Sequence, residues 1–73
     1  MQRGQVKWYD EQRGFGFIRA EVGDRDVFVY SEDIVDKGER VLKPGEWVKF
    51  EITEAAQGPR AVNVQRELAS VKD

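Results

Sequence analysis

The chain has 73 residues, with 12 Lys and Arg against 14 Asp and Glu, no Cys, no His and a formal net charge of −2. This length fits one small domain, and the absence of Cys and His removes the ligands of common zinc sites, thiol nucleophiles and imidazole bases. We therefore expect a protein that is not an enzyme and that binds no metal and no cofactor. No apolar run approaches the roughly 20 residues of a membrane helix, so we expect a soluble intracellular protein.

The pattern of β-favouring residues between polar, Gly-containing turns predicts five short strands. They span residues 4–9, 15–19, 26–30, 47–54 and 60–65. A long connection at residues 31–45 is expected to hold one helical turn capped by Ser31, and to contact the core through Ile34, Val41 and Leu42. Five strands at this spacing predict a small closed barrel over residues 1–66, followed by a short tail, residues 67–73.

Alternation along the strands assigns each side chain to the inside or the outside of this barrel, because residues i and i+2 share a face. The predicted interior is mainly aliphatic: Val6, Ile18, Val27, Val29, Val48, Phe50, Ile52, Val62 and Val64. Four more rings would overfill it, so the outer face receives Phe15, Phe17, Phe28 and Tyr30. Fully presented, these rings would expose on the order of 600 Å² or more, which indicates a binding surface.

The residues beside these rings indicate what the surface binds. Cations lie on or near the aromatic strands, at Lys7, Arg13, Arg19, Arg25 and Arg60. Stacking rings combined with cations are typical of proteins that bind single-stranded nucleic acids. For any one cation, a solvated turn that keeps the domain soluble is an equally good interpretation. Basic and acidic residues balance within residues 1–30, so residues 31–73 carry the whole net charge of −2.

Four segments, in order and spacing, resemble bacterial cold-shock proteins across residues 2–66. They are Gly4-Gln5-Val6-Lys7-Trp8-Tyr9, Arg13-Gly14-Phe15-Gly16-Phe17-Ile18, Val27-Phe28-Val29-Tyr30 and Gly58-Pro59-Arg60-Ala61-Val62-Asn63-Val64. The second and third look like the two ribonucleoprotein motifs of that family. The resemblance implies an all-β, five-stranded antiparallel OB-fold barrel and a cytoplasmic RNA chaperone. Such a protein binds single-stranded RNA or DNA, with a mild preference for pyrimidine-rich stretches.

The resemblance also implies roles for individual residues. The stacking positions fall on Trp8, Phe15, Phe17, Phe28 and Tyr30, the cationic positions on Lys7 and Arg13, and a polar contact on Arg60. Strict alternation places Trp8 on the face of Val6, so its exposure requires a bulge, a bend or a position at the rim.

Two residues of the candidate site have alternative interpretations. Asp26 could bond a base edge through its carboxylate or pair with a cation across the strands. Gly16 could permit strand curvature, which we favour, or the close approach of a base.

Departures from the family pattern predict a weaker and shorter site than is usual. Tyr30 stands where a His is usual, Asp10 replaces an Asn, and Ser31 and Glu39 occupy positions that often carry aromatic residues. Each lost stacking position is worth about 1 to 3 kcal/mol. Trp47 stands where a small residue is common, and it is expected to pack against the tail or to contact a partner or a second copy.

A second class of function remains open, in which the aromatic face of the barrel docks a peptide or a partner protein. We expect a monomer, although exchange of strands through the long connection would give a swapped dimer. The preference between RNA and single-stranded DNA does not follow from the residues.

Overall fold

Five strands account for most of the chain in the computed structural model, which describes residues 1–35 and 42–67. They are β1 (Gln2–Asp10), β2 (Phe15–Ala20), β3 (Arg25–Tyr30), β4 (Trp47–Ala55) and β5 (Gly58–Arg66). All five predicted strands are thus confirmed, with small differences at their ends. None of the helices in the described ranges is long and apolar enough to cross a membrane.

Short 3-10 turns follow two of the strands, at Val22–Asp24 and Ser31–Asp33. The second is the helical turn predicted after β3, but the prediction that Ser31 caps it is wrong. Tyr30 occupies the capping position, and no side chain bonds to the free N–H groups. Ser31 is instead the first residue of the turn, and its side chain forms a hydrogen bond with that of Tyr9.

The strands close into a barrel in the order β1-β2-β3-β5-β4. Four neighbouring pairs are antiparallel, whereas β3 and β5 run parallel, with Phe28 opposite Arg60 and Val29 opposite Ala61. The closed barrel is confirmed, and the expectation that every pair is antiparallel is wrong for this one. Its cause is parity: when an odd number of strands closes on itself, neighbours cannot all alternate in direction.

The interior of the barrel is the aliphatic core that alternation predicts. The residues that were predicted to face inward and are buried in the structure are Val6, Ile18, Val27, Val29, Val48, Phe50 and Val64. Ile34 and Leu42 are also buried, as expected, while Val41 lies outside the described residues. Ile52 is half-buried and packs against this core. Phe50 is the largest side chain in the core, which has room for little more.

Val62 is the one residue wrongly assigned to the core. It is half-buried, and Ala61 occupies the interior in its place. The pairing of β4 with β5 shifts between Lys49 opposite Gln65 and Glu51 opposite Val62, so β5 contains an extra residue there. Asn63 lies in this segment with φ 53, a left-handed conformation that Asn tolerates better than most residues. The extra residue reverses the inward and outward alternation of β5.

Gly16 of β2 lies in close contact with the backbone of β1. A Cβ at this position would come within 2.8 Å of the Tyr9 Cα and would also meet the Trp8 carbonyl oxygen. Strand β1 fills the space where a side chain would lie, which supports the favoured interpretation that Gly16 lets β1 curve over β2.

Trp47 contacts both the first strand and the residue that follows β5. The guanidinium carbon of Arg3 lies 4.0 Å from the centroid of the Trp47 ring. Arg3 Nε donates to Glu67 Oε2 at 2.7 Å, and the Glu67 backbone N–H donates to the Trp47 carbonyl at 2.9 Å. The Trp47 ring thus contacts Arg3, and its backbone carbonyl bonds the first residue of the predicted tail, while residues 68–73 lie outside the described residues.

The assignment of rings to opposite faces predicts unequal costs for the same substitution. Phe50→Ala should lower the free energy of unfolding by about 3 to 5 kcal/mol, because it leaves a cavity in a filled interior. Phe28→Ala should cost less than half as much, because Phe28 is half-buried on the outer face. Urea denaturation followed by circular dichroism measures both losses, and equal losses would contradict the assignment.

The contact between Arg3 and Glu67 predicts a contribution to stability that depends on pH. The hydrogen bond from Arg3 lowers the pKa of Glu67 from its ordinary value of 4.5. The contribution is therefore complete above about pH 4.5 and is lost as the pH falls through the lowered pKa. Glu67→Gln should lower the melting temperature near neutral pH, and this difference from the parent should shrink in acid.

Glu54→Gln is the control for this measurement, because exposed Glu54 lies 3.8 Å from Arg25 and an exposed pair contributes little. A deficit for Glu67→Gln that stays constant across the acid range would refute the predicted linkage.

Candidate nucleic-acid interface

Five rings form one continuous row on the outer surface of β1, β2 and β3, which we call the aromatic stripe: Trp8, Phe15, Phe17, Phe28 and Tyr30. Register explains why the rings meet, since Phe17 lies opposite Phe28 and Phe15 lies opposite Tyr30. Residues directly opposite each other in antiparallel strands point to the same face. The structure therefore brings together all five residues that the resemblance assigns to stacking.

The rings of the aromatic stripe contact one another from end to end. The Phe17 and Phe28 centroids are 4.5 Å apart, and Phe28 and Tyr30 lie nearly parallel, 9° between planes, at 5.9 Å. Trp8 meets Phe15 and Phe17 edge-on at 5.6 and 5.5 Å. Trp8 is 39% exposed, whereas the other four rings are half-buried because they cover one another. The expected 600 Å² of exposed ring surface is consequently too large.

A bulge in β1 places Trp8 in the aromatic stripe. Val6 lies opposite Ile18, but the next pair joins Trp8 to Phe17, so β1 contains one residue more than β2 at this point. The extra residue resets the alternation, and Val6 faces the core while Lys7 and Trp8 are both exposed. This bulge is one of the three explanations that sequence alternation required for an exposed Trp8.

Asp10 shapes the turn that leads from β1 into the aromatic strand β2. Its Oδ1 accepts hydrogen bonds from the backbone N–H groups of Gln12 and Arg13, at 3.1 and 3.2 Å. Its other carboxylate oxygen lies 3.7 Å from Arg13 Nε. A carboxylate that bonds backbone N–H groups two and three residues onward stabilises a tight turn. Asp10 thus adds negative charge beside the aromatic stripe and already engages one of its cations.

Asp26 pairs with two cations across the strands. Lys7 Nζ lies 3.1 Å from Asp26 Oδ2, and Arg19 Nε lies 3.7 Å from Asp26 Oδ1. Of the two interpretations of Asp26, the structure shows cross-strand pairing. All three side chains are 40 to 52% exposed, and exposed ion pairs contribute at most about 1 kcal/mol. A phosphate group can therefore replace the carboxylate at low cost.

Arg60 lies at the Tyr30 end of the aromatic stripe and is held there by two carboxylates. Its Nε donates to Asp33 Oδ2 at 2.7 Å, and its Nη2 donates to Glu32 Oε2 at 2.8 Å. The guanidinium carbon lies 4.5 Å from the centroid of the Tyr30 ring. The hydrogen bond to Asp33 is the main cause that raises the pKa of Arg60 above its usual value.

Sequence patterns did not indicate the role of Glu32 and Asp33. The two residues precede β4, while Arg60 is in β5, and only the parallel pairing of β3 with β5 brings them together. Arg25, also expected beside the rings, lies 3.8 Å from Glu54 at the opposite end of β3. Ser31 is in the 3-10 turn after β3, and Glu39 lies outside the described residues.

An open groove elsewhere on the barrel contains none of these rings. Its volume is about 530 Å³, and Arg3, Glu21, Val22, Glu51 and Ile52 are among its lining residues. The groove and the aromatic stripe are therefore separate surfaces.

Comparisons with known proteins agree with the barrel. A family model described as the "Cold-shock" DNA-binding domain matches residues 2–67. Over 62 residues, the chain is 52% identical to the cold shock-like protein CspE of Buchnera aphidicola, covering 85% of this chain and 90% of that protein. The corresponding CspE of Escherichia coli strain K12 is 50% identical, with the same coverage.

A solved structure supports the fold independently of close sequence similarity. Drosophila Unr CSD456 superimposes with a TM-score of 0.75 at 19% identity. The alignment covers 97% of this chain but only 29% of that longer chain. This similarity shows a shared barrel and nothing about shared partners.

The chain is a small OB-like barrel of the nucleic-acid-binding class. It belongs to the cold-shock domain family, as the family model and the two bacterial relatives show. The resemblance stated from the sequence is confirmed, and this membership supports binding of nucleic acid.

Proposed function

We propose that this protein binds single-stranded RNA or DNA by stacking bases on the aromatic stripe. One observation carries the proposal: five rings lie in a continuous row on the outside of the barrel, with cations beside them. Base–aromatic stacking contributes about 1 to 3 kcal/mol per base and tolerates any sequence, because every base has a π-face. Stacking on ring faces requires unpaired bases, so the proposed ligand is a single strand and not a duplex.

Lys7 and Arg13 are the cations proposed to contact phosphate groups, since Lys7 precedes Trp8 in β1 and Arg13 lies in the turn that leads into β2 at Phe15. Both are already paired with a carboxylate, Lys7 with Asp26 and Arg13 with Asp10. A phosphate must displace these carboxylates. The free energy gained on binding is therefore only the difference between the cation–phosphate contact and the cation–carboxylate contact that it replaces. We assign Asp26 to holding Lys7, because a contact with a base edge would require it to leave that pair.

These features favour weak binding that suits a cytoplasmic RNA chaperone. The affinity is limited by the short row of rings, by cations that are already paired with carboxylates and by a net charge of −2. Weak, sequence-tolerant contacts keep a transcript unpaired while allowing rapid exchange. The resemblance to cold-shock proteins favours pyrimidine-rich strands, and a modest preference of this kind arises from stacking strength and backbone flexibility. We propose that the monomer is the active form, and light scattering would distinguish it from a strand-swapped dimer.

The alternative is a module that docks a peptide on the same rings. Cations beside the aromatic stripe favour nucleic acid over an apolar peptide, because phosphate groups supply the matching charge. The two functions differ in their response to salt, which makes them separable by experiment.

Substitution of the central rings tests the stacking proposal. Phe17→Ala and Phe28→Ala should each weaken binding to a dye-labelled pyrimidine oligonucleotide by about fivefold to a hundredfold, as measured by fluorescence anisotropy. The parent should bind with a dissociation constant above the nanomolar range at physiological salt. Val22→Ala, which removes an exposed apolar side chain far from the aromatic stripe, is the control. Unchanged affinity in both Phe variants would refute stacking.

Tryptophan fluorescence gives a second measurement of the same contact. In a Trp47→Phe background the remaining Trp8 reports from within the aromatic stripe, so its emission should be quenched when the oligonucleotide binds.

The response to salt separates nucleic acid from peptide. For single strands, the logarithm of the binding constant falls by roughly 0.7 per neutralised phosphate for each tenfold rise in salt. We expect a measurable but shallow slope, equivalent to about one to three phosphates, because the cations must first leave their carboxylates. Binding that does not respond to salt would favour the peptide-docking alternative.

A further inference from the structure

The Tyr30 end of the aromatic stripe differs from the rest, because a charged side chain lies over its ring. The Arg60 guanidinium carbon is 4.5 Å from the Tyr30 centroid, and the neighbouring Phe28 ring lies nearly parallel to Tyr30 at 5.9 Å. A base that stacks on the face covered by Arg60 must first displace the guanidinium. No comparable contact is found at Phe15, Phe17 or Phe28 within the described residues.

Two carboxylates fix Arg60 in this position, and we call Glu32 and Asp33 the acidic clamp. Asp33 accepts from Nε at 2.7 Å and Glu32 accepts from Nη2 at 2.8 Å, so two separate carboxylates hold the guanidinium. The Arg60 side chain is 28% exposed and that of Asp33 only 15%. The pair of Arg60 with Asp33 is thus less accessible to solvent than the pair of Lys7 with Asp26, whose side chains are 40 and 44% exposed, whereas Glu32 lies at the exposed edge of the acidic clamp.

We propose that Glu32 and Asp33 hold Arg60 over the Tyr30 ring in the free protein and so close this end of the aromatic stripe to incoming bases. The acidic clamp acts twice: it blocks a stacking face and it neutralises a cation that a phosphate group would otherwise contact. A bound strand reaches Tyr30 only by drawing Arg60 away from its carboxylates. The proposal rests on the proposed function and gives a physical reason to expect a site shorter than its five rings suggest.

Removal of the two carboxylate charges tests the acidic clamp. Glu32→Gln combined with Asp33→Asn should tighten binding to oligo(dT) about fivefold or more, the effect of one recovered stacking position. The gain should appear only with strands long enough to reach Tyr30, within a series of about three to about eight nucleotides that covers the smallest sites of such folds. The salt slope should steepen by about 0.7, since Arg60 becomes free for one phosphate.

The matched control removes the same charge from another surface. Glu21→Gln combined with Glu51→Gln alters two carboxylates that line the separate groove, far from Tyr30. Its affinity should change less than that of the clamp variant and equally for short and long strands, as a general change of net charge requires. Equal gains in the two double variants would overturn the proposal.

Tyr30 provides a readout that a purely structural role of the acidic clamp would not alter. Tyr30→Ala should cost little in the parent, where Arg60 covers the ring, and clearly more in the clamp variant, where the ring is open. Arg60→Gln added to the clamp variant should return the salt slope to the parent value. The same loss for Tyr30→Ala in both backgrounds would contradict the proposal.

Folding and binding failures are distinguishable in this design. Circular dichroism melts report folding, and Glu32→Gln alone, at a side chain 74% exposed, tests half of the acidic clamp if Asp33→Asn unfolds the barrel. If the parent binds and Phe17→Ala weakens it while the clamp variant gains nothing over its control, only the acidic clamp is refuted. If Phe17→Ala and Phe28→Ala also leave binding unchanged, the proposed function itself is refuted, and the acidic clamp with it.

Discussion

The limited volume of the barrel interior governs the rest of this structure. Among the described residues Phe50 is the one aromatic side chain in the buried core, and aliphatic side chains fill the remaining space. A protein interior of native density accepts additional rings only with strain. The rings of the aromatic stripe must therefore lie outside, and register brings them into one row, whereas Tyr9 of β1 is half-buried and packs against the core. The same constraint that limits the core thus produces the surface proposed to bind nucleic acid.

Alternation predicted most of the fold because it holds wherever two strands pair without an extra residue. It placed Phe15, Phe17, Phe28 and Tyr30 correctly, since β2 and β3 pair in uninterrupted register. It failed for Val62, where an extra residue in β5 reverses the faces. A bulge beside Trp8 was one of three alternatives, considered only because the family resemblance required an exposed ring there. Bulges depend on how two strands fit together, and the pattern of a single strand does not contain that information.

The electrostatics of the site could not be predicted for a related reason. The sequence shows that cations accompany the rings, but not that the structure pairs each of them with a carboxylate. Asp26 lies across the strands from Lys7 and Arg19, and Asp10 reaches Arg13 within one turn. These pairs show what acidic side chains of the chain do at this surface: they neutralise the cations beside the rings. Positive charge is present beside the rings, but a ligand can contact it only by displacing the carboxylates that already pair with these cations.

The parallel junction between β3 and β5 joins the two halves of the chain through two residue pairs, Phe28 with Arg60 and Val29 with Ala61, and an isolated bridge between Ile34 and Val64. Phe28 and Arg60 also belong to the surface proposed to bind. A single-stranded nucleic acid that contacts both residues would hold β3 and β5 together from the outside. A ligand that binds only the closed barrel increases the stability of the barrel by mass action. While it is bound, the nucleic acid would then contribute to the stability of the fold, and it would restrain the separation of β3 from β5.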